Sequence, residues 1–539
     1  MRTKSLSWLA AGLTCLAPIA MISGALAQTH GHSPPRLGTV TFKVECNAAA
    51  QEEFHRGVAY LHSFAFPEAR AMFEAGAKAD PACGMAHWGR AMVLLDNPFI
   101  WPAGLTPQKL NDAVAALDAA TAAGLKTPRE QGYVVALGML VRDHATVPHA
   151  QRLQKYDDAM VALTKQNPED MEAAIFSALA TSANFVPTDK TYANQHKAAR
   201  VLEPLFKAHP NHPGLAHYTI HTFDYPPLAQ HGVEAAKLYG LIAPDVPHAL
   251  HMPAHIFTRV GHWKESIASN RASVKAGGDA TFDAHHASDY MVYAHLQLAQ
   301  DGAARQAMAE SRAMKPIDHF AAAFAYVAMP ARLALERGDW GDAAVLPMTP
   351  AADAYPWKKY PQAEAINAFA RGVGAARAGN VALAREQQAR LITLRDAAKE
   401  LKLGYWVEQL DIQAAVVGGL ALCAEGKAAD CIAALKTTAT REDTTEKHVV
   451  VPGPLLPARE LLAEMLLEQK KFAESLVEYD AVMKKEPNRH RAIAGAMAAA
   501  AGAGDQARAR ALAGELLKLG SEADSQRASL QQAKQLAGG

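Results

Sequence analysis

Residues 50–83 read AQEEFHRGVAYLHSFAFPEARAMFEAGAKADPAC, and the spacing of their small and aromatic residues decides the fold. Gly57, Ala69 and Gly76 are small enough to let two antiparallel helices approach closely, while Tyr60 and Phe73 fill the gap between them. Pro81 closes the unit, because proline cannot continue a helix interior. A helix pair of this kind cannot bury its apolar face alone, so neighbouring pairs must stack. The composition agrees: the chain is half hydrophobic but only 7% aromatic and very rich in alanine, which favours packed helices over sheets.

Near the C-terminus, a unit begun at Leu456 sets Ala463, Phe472, Ser475, Tyr479 and Pro487 at the matching places. Weaker helix–Gly–helix turns lie at 335–344, 376–384 and 423–431. A 34-residue period with these residue types resembles the tetratricopeptide repeat (TPR), and the resemblance covers most of residues 50–520. It implies an all-α, TPR-type helix-hairpin solenoid, a right-handed superhelix with a concave groove. Pro-rich stretches at 97–107, 346–361 and 448–457 read as loops that interrupt it. The expected organisation is 1–27 signal peptide, 28–49 extended segment, 50–209 N-terminal repeats, 210–300 His-rich central repeats, 301–455 middle repeats and 456–539 C-terminal repeats.

The signal-peptide reading rests on Arg2 and Lys4, the apolar stretch after them, and the small residues Ala25 and Ala27 around Leu26. It implies a periplasmic or secreted protein with no membrane span after cleavage. Export places Cys46, Cys83, Cys423 and Cys431 in an oxidising compartment. Cys423 and Cys431 flank a short turn between two helices, so a bridge closing that hairpin is expected, leaving Cys46 to pair with Cys83. Basic and acidic residues number 54 each, so no charge excess invites nucleic acid.

The stretch HALHMPAHIFTRVGHW, 248–263, puts four histidines into sixteen residues. In the TPR family, positions 2, 5, 9, 12 and 13 of the first helix face the groove. Starting repeats at Pro213, Pro247 and Thr281 puts His217 and His221, then His248, His251, His255 and Arg259, then His285 and Asp289, on that face. Three successive helices thus carry H-x3-H, H-x3-H and H-x3-D, and residues four apart share a helix face. Imidazoles and a carboxylate converging from facing helices suit a transition metal: Zn, Cu, Fe or Mn. In this register His262 and His286 fall on other faces. Pro253 strains the register, since a helix begun there would leave His248 and His251 in a loop over the groove.

Arg259, Asp224 and Tyr293 are read as ligand-binding, Arg259 steering an acidic group. The segments AHYTIHTFDYPPLAQHG and IAPDVPHALHMPAHIFTRVGHW, with FHRGVAYLHSFAFPEA, resemble a group of secreted proteobacterial TPR proteins; the resemblance implies fold and export but no reaction. Two functions follow. One is a metal-bearing solenoid, with metal-dependent catalysis left open. The other is a metal-free scaffold binding a peptide, protein or small acidic ligand in the groove. No P-loop, H-E-x-x-H, G-x-S-x-G or dinucleotide-binding glycine pattern occurs.

Overall fold

Gly57 and Gly89 hold the Phe73 ring between them. A Cβ built on Gly57 would lie 2.8 Å from that ring, and one on Gly89 closer still. This computed structural model describes residues 34–278 and 281–538, so the segment read as a signal peptide lies outside the described residues. Asn47 starts the first helix, Ala48–His62, by accepting a hydrogen bond from the Ala50 N–H. The chain turns at Phe64 and runs back as Phe66–Ala79, with Pro67 in its first turn, where a missing N–H costs nothing. The two helices pack on each other and on Gly84–Leu94, and the same succession of neighbour contacts runs to the C-terminal helices. The described residues form an all-α helix-hairpin solenoid, with no strand among them.

The last repeats use the same device. Tyr479 stands against Gly495 and Phe472 against Gly502, where a Cβ would meet the ring at 2.5 Å. Gly495→Ala gains roughly 1 kcal/mol of helix propensity, but it forces a methyl group into the buried Tyr479 ring. Overpacking costs about 1–3 kcal/mol, so the urea midpoint is expected to fall without loss of helical circular dichroism. An unchanged or raised midpoint would show that the ring yields freely.

An open repeat array touches only its neighbours. Here two later segments return onto central helices. Trp263 donates its indole N–H to the Asn488 carbonyl at 2.8 Å, and Arg332 donates to the Gly453 carbonyl at 3.0 Å. Lys190 pairs with Glu446 at 2.6 Å. The stretch read as a loop at 448–457 lies against the His-rich helices, where the Tyr290 hydroxyl donates to the Val451 carbonyl at 3.4 Å.

Disulfides join Cys46 to Cys83 and Cys423 to Cys431, with Cα–Cα distances of 5.0 and 5.2 Å. One helix among the described residues, Gly404–Ala424, is long and apolar enough to cross a membrane. It packs on the helices before and after it, and its Glu408 and Asp411 bind Arg441.

Candidate metal centre

Pro213 begins the first histidine helix, Pro213–Phe223, and His212 caps it by accepting from the Leu215 N–H. His217 and His221 share one face of this helix and are buried. The next strand of the site is split. Pro253 has no N–H to give the preceding turn, so the chain runs as Pro247–His251 and Pro253–Arg259. Met252 keeps helical torsions between them, and its N–H still bonds the His248 carbonyl at 3.0 Å. His248 and His251 therefore lie on a helix, not in a loop.

The third helix, Phe282–Gln297, departs from the expected register. His285 turns away: Nδ1 lies 2.9 Å from Ser311 Oγ and Nε2 3.1 Å from the Lys315 carbonyl. Asp289 binds Arg332 at 2.8 Å in a buried ion pair. In their place His286 and Tyr290 face the site. Both fall thirty-five residues after His251 and His255, whereas those two follow His217 and His221 by thirty-four. One extra residue rotates a helix face by about 100°, which exchanges each residue for its neighbour.

Two triads result, buried apart from the partly exposed His248. His217, His221 and His248 offer three nitrogens within 4.8 Å of one another, and so do His251, His255 and His286. The sets are adjacent, with the His221 and His255 rings 6.1 Å apart and those of His248 and His251 6.3 Å apart. Phe64, whose φ of 52° is costly for a bulky residue, places its ring 4.4 Å from His217 and 5.6 Å from His248. Phe99 stacks on His221 at 4.0 Å. These aromatics cover the His217 and His221 rings.

The hydrogen bonds fix tautomers. Asn270 directs its amide N–H at the Ser266 carbonyl, so its oxygen faces His251 and accepts from Nδ1–H at 2.6 Å. Asp224 accepts from His255 Nδ1–H at 2.9 Å. Each ring is left with a lone pair on Nε2, and those two atoms face each other at 3.1 Å, with the Tyr290 hydroxyl 3.4 Å from that of His255. His217 donates Nδ1–H to the His62 carbonyl at 2.6 Å. Among the described residues, the buried Nε2 atoms of His217, His221 and His248 have no hydrogen-bond partner. A buried polar atom left in this state costs about 1–3 kcal/mol. Burial holds His217, His221, His251 and His286 well below the ordinary imidazole range, so all four are neutral.

A third cluster shows what a satisfied arrangement looks like. Glu172 accepts from His62 Nε2 and from His212 Nε2, both at 2.9 Å. The other ring nitrogens accept, from the Tyr218 hydroxyl at 2.9 Å and the Leu215 N–H. No lone pair is spare there, and the network is structural.

Three residues read as ligand-binding are engaged inside the protein. Asp224 is the hub: His255 and Lys447 share its Oδ2, Lys447 at 2.8 Å, and Arg259 binds Oδ1 at 2.9 Å. Arg259 is therefore committed to a carboxylate thirty-five residues away, although it also lines a cavity described below. Tyr293 is fully buried, with its hydroxyl accepting from Arg489 at 3.0 Å. Asn270 and Tyr290 went unread in the sequence. The recurrence of H-x3-Y at His286 was the available signal for Tyr290.

Acid should unfold this protein early. Burial holds His255 down to about 4, against the pull of Asp224, and His490 to about 3. Below the ordinary value of 6.5 the unfolded chain takes up protons that the folded chain refuses. Stability is then complete above about pH 6.5 and is lost as pH falls toward 4, by about 1.4 kcal/mol per pH unit for each such histidine. Urea midpoints measured from pH 7 to 4.5 should fall steeply; a flat profile would contradict neutral, buried imidazoles.

No family model and no curated protein matches this chain. Among solved structures, it is similar to the TPR domain of P58(IPK), at 14% identity, TM-score 0.20, with 91% of this chain and 99% of that one covered. It is also similar to Naa15/Naa10 bound to HypK-THB, at 12% identity and TM-score 0.25, with 91% of each chain covered. Scores this low bear on neither fold nor function.

Proposed function

We propose that this is an exported, periplasmic or secreted solenoid whose central helices bind transition-metal ions through two histidine triads. The observation that carries the reading is the pair of Nε2 lone pairs, on His251 and His255, facing each other at 3.1 Å. Lone pairs at that distance repel, and a shared cation turns the repulsion into ligation. Two nitrogens on one tetrahedral zinc, each about 2.0–2.1 Å away, lie roughly 3.3 Å apart, close to the spacing found here. Asn270 and Asp224 stand behind the rings as outer partners that orient metal-bound imidazoles. An all-nitrogen donor set favours Zn or Cu over Mn, which prefers oxygen.

Three protein ligands leave a fourth position on a tetrahedral ion for water or substrate. The Tyr290 hydroxyl stands 3.4 Å from His255 Nε2 and would border that position. Cobalt(II) titration tests the reading: apo protein should develop the visible d–d bands of nitrogen-ligated cobalt and saturate at one or two equivalents. Absence of bands, together with no zinc or copper in protein from metal-replete cells, would refute it.

A further inference from the structure

A cavity of about 620 Å³ opens beside the histidine helices, within the range of small-molecule sites. It meets the second triad at Asp224, which His255, Lys447 and Arg259 share, but its reading as a ligand site does not require a bound metal. The helix Gly404–Ala424 forms one wall, with Trp406, Ile412 and Val416 directed into it, and Phe324, Phe369 and Leu456 complete the apolar surface. Two further residues of that helix break the apolar pattern. Gln409 Nε2 and Gln413 Oε1 are buried in this wall with no hydrogen-bond partner among the described residues. They stand four apart, hence on one face, and offer one donor and one acceptor. Leaving such atoms unpaired is costly, so a ligand with its own donor and acceptor would be held here.

The charge at one end is unbalanced. Lys447 and Arg259 line the cavity, and their side chains are only 7% and 4% exposed. Both cations bind the single carboxylate of Asp224. Elsewhere along the lining the charges are interspersed: Lys190 holds Glu446, Arg459 holds Asp443 and Glu478, and Lys485 also binds Asp443. Glu442 is pushed up to about 7 by burial. At the Asp224 end, two buried cations on one carboxylate leave a local excess of positive charge in surroundings of low polarity, where it attracts an anion.

We propose that the cavity binds a small amphipathic organic acid: an apolar tail against Trp406 and Phe369, a hydrogen-bonding group such as an amide at Gln409 and Gln413, and a carboxylate at Lys447 and Arg259. N-decanoylglycine carries all three parts and serves as the probe. Calorimetric titration of the intact protein compares it with N-decanoylglycinamide, which lacks the charge, and with decanoate, which lacks the amide. N-decanoylglycine is expected to bind about tenfold more tightly than either. Lys447→Met should abolish its advantage over the glycinamide. Gln413→Leu, a half-exposed position that leaves folding intact, should abolish its advantage over decanoate. Quenching of tryptophan fluorescence that disappears in Trp406→Phe would place the probe in this cavity. The proposal is overturned if the wild-type protein binds the glycinamide as tightly as the acid, or binds neither.

Discussion

Replacing His286 with alanine is expected to remove metal from the second triad, while replacing His285, its immediate neighbour, leaves metal content unchanged. The two positions separate the site seen in three dimensions from the one a strict 34-residue repeat would build. His286 lies 4.5 Å from the His251 ring, whereas His285 is tied to Ser311 and the Lys315 carbonyl. Loss of one ligand in three should weaken affinity by more than the roughly 10–100-fold typical of outer partners. Asn270→Ala, which frees the His251 ring, should fall within that smaller range. His251→Ala with His255→Ala should empty the second triad and lower the melting temperature, because an ion bound only to the folded state stabilises it. The His62–Glu172–His212 cluster supplies the control, since His212→Ala should lower stability without changing metal content. Equal metal content in the His285 and His286 variants would remove the basis for the site.

Arg489→Met is expected to be the most destabilising single change away from the histidines, at about 3–5 kcal/mol. The guanidinium is fully buried and grips Glu460 through two hydrogen bonds, of 2.6 and 3.0 Å. Glu336 Oε1 stands 2.9 Å from the same group, close enough for an ion pair though its angle falls outside hydrogen-bond geometry. Methionine would leave Glu336 buried without its cation, and Glu460 with Arg491 alone. Arg508→Ala, which removes an exposed partner of Asp480, should change stability by less than about 1 kcal/mol. Denaturant melts of the two variants measure the difference directly. Similar midpoints would mean that water reaches the Glu336–Glu460 site.

Much of the architecture could be read from residue types at fixed intervals. Gly57 opposite Phe73 requires two helices in close contact, and any folded form of residues 50–83 must meet that requirement locally. The pairing of His217 with His221 and of His251 with His255 follows likewise from helical periodicity within one segment. Tertiary structure alone decided the rest. A single residue added between the second and third histidine helices exchanged His285 and Asp289 for His286 and Tyr290, because each residue turns a helix by about 100°. Asp224 gained Lys447, 223 positions away, so that two cations share the carboxylate Arg259 would otherwise hold alone. The amides of Gln409 and Gln413 acquired meaning only when chain segments remote in sequence closed a cavity around them. Periodicity records which face a residue takes on its own helix; which partner stands opposite depends on loop lengths and long-range packing that no local interval encodes.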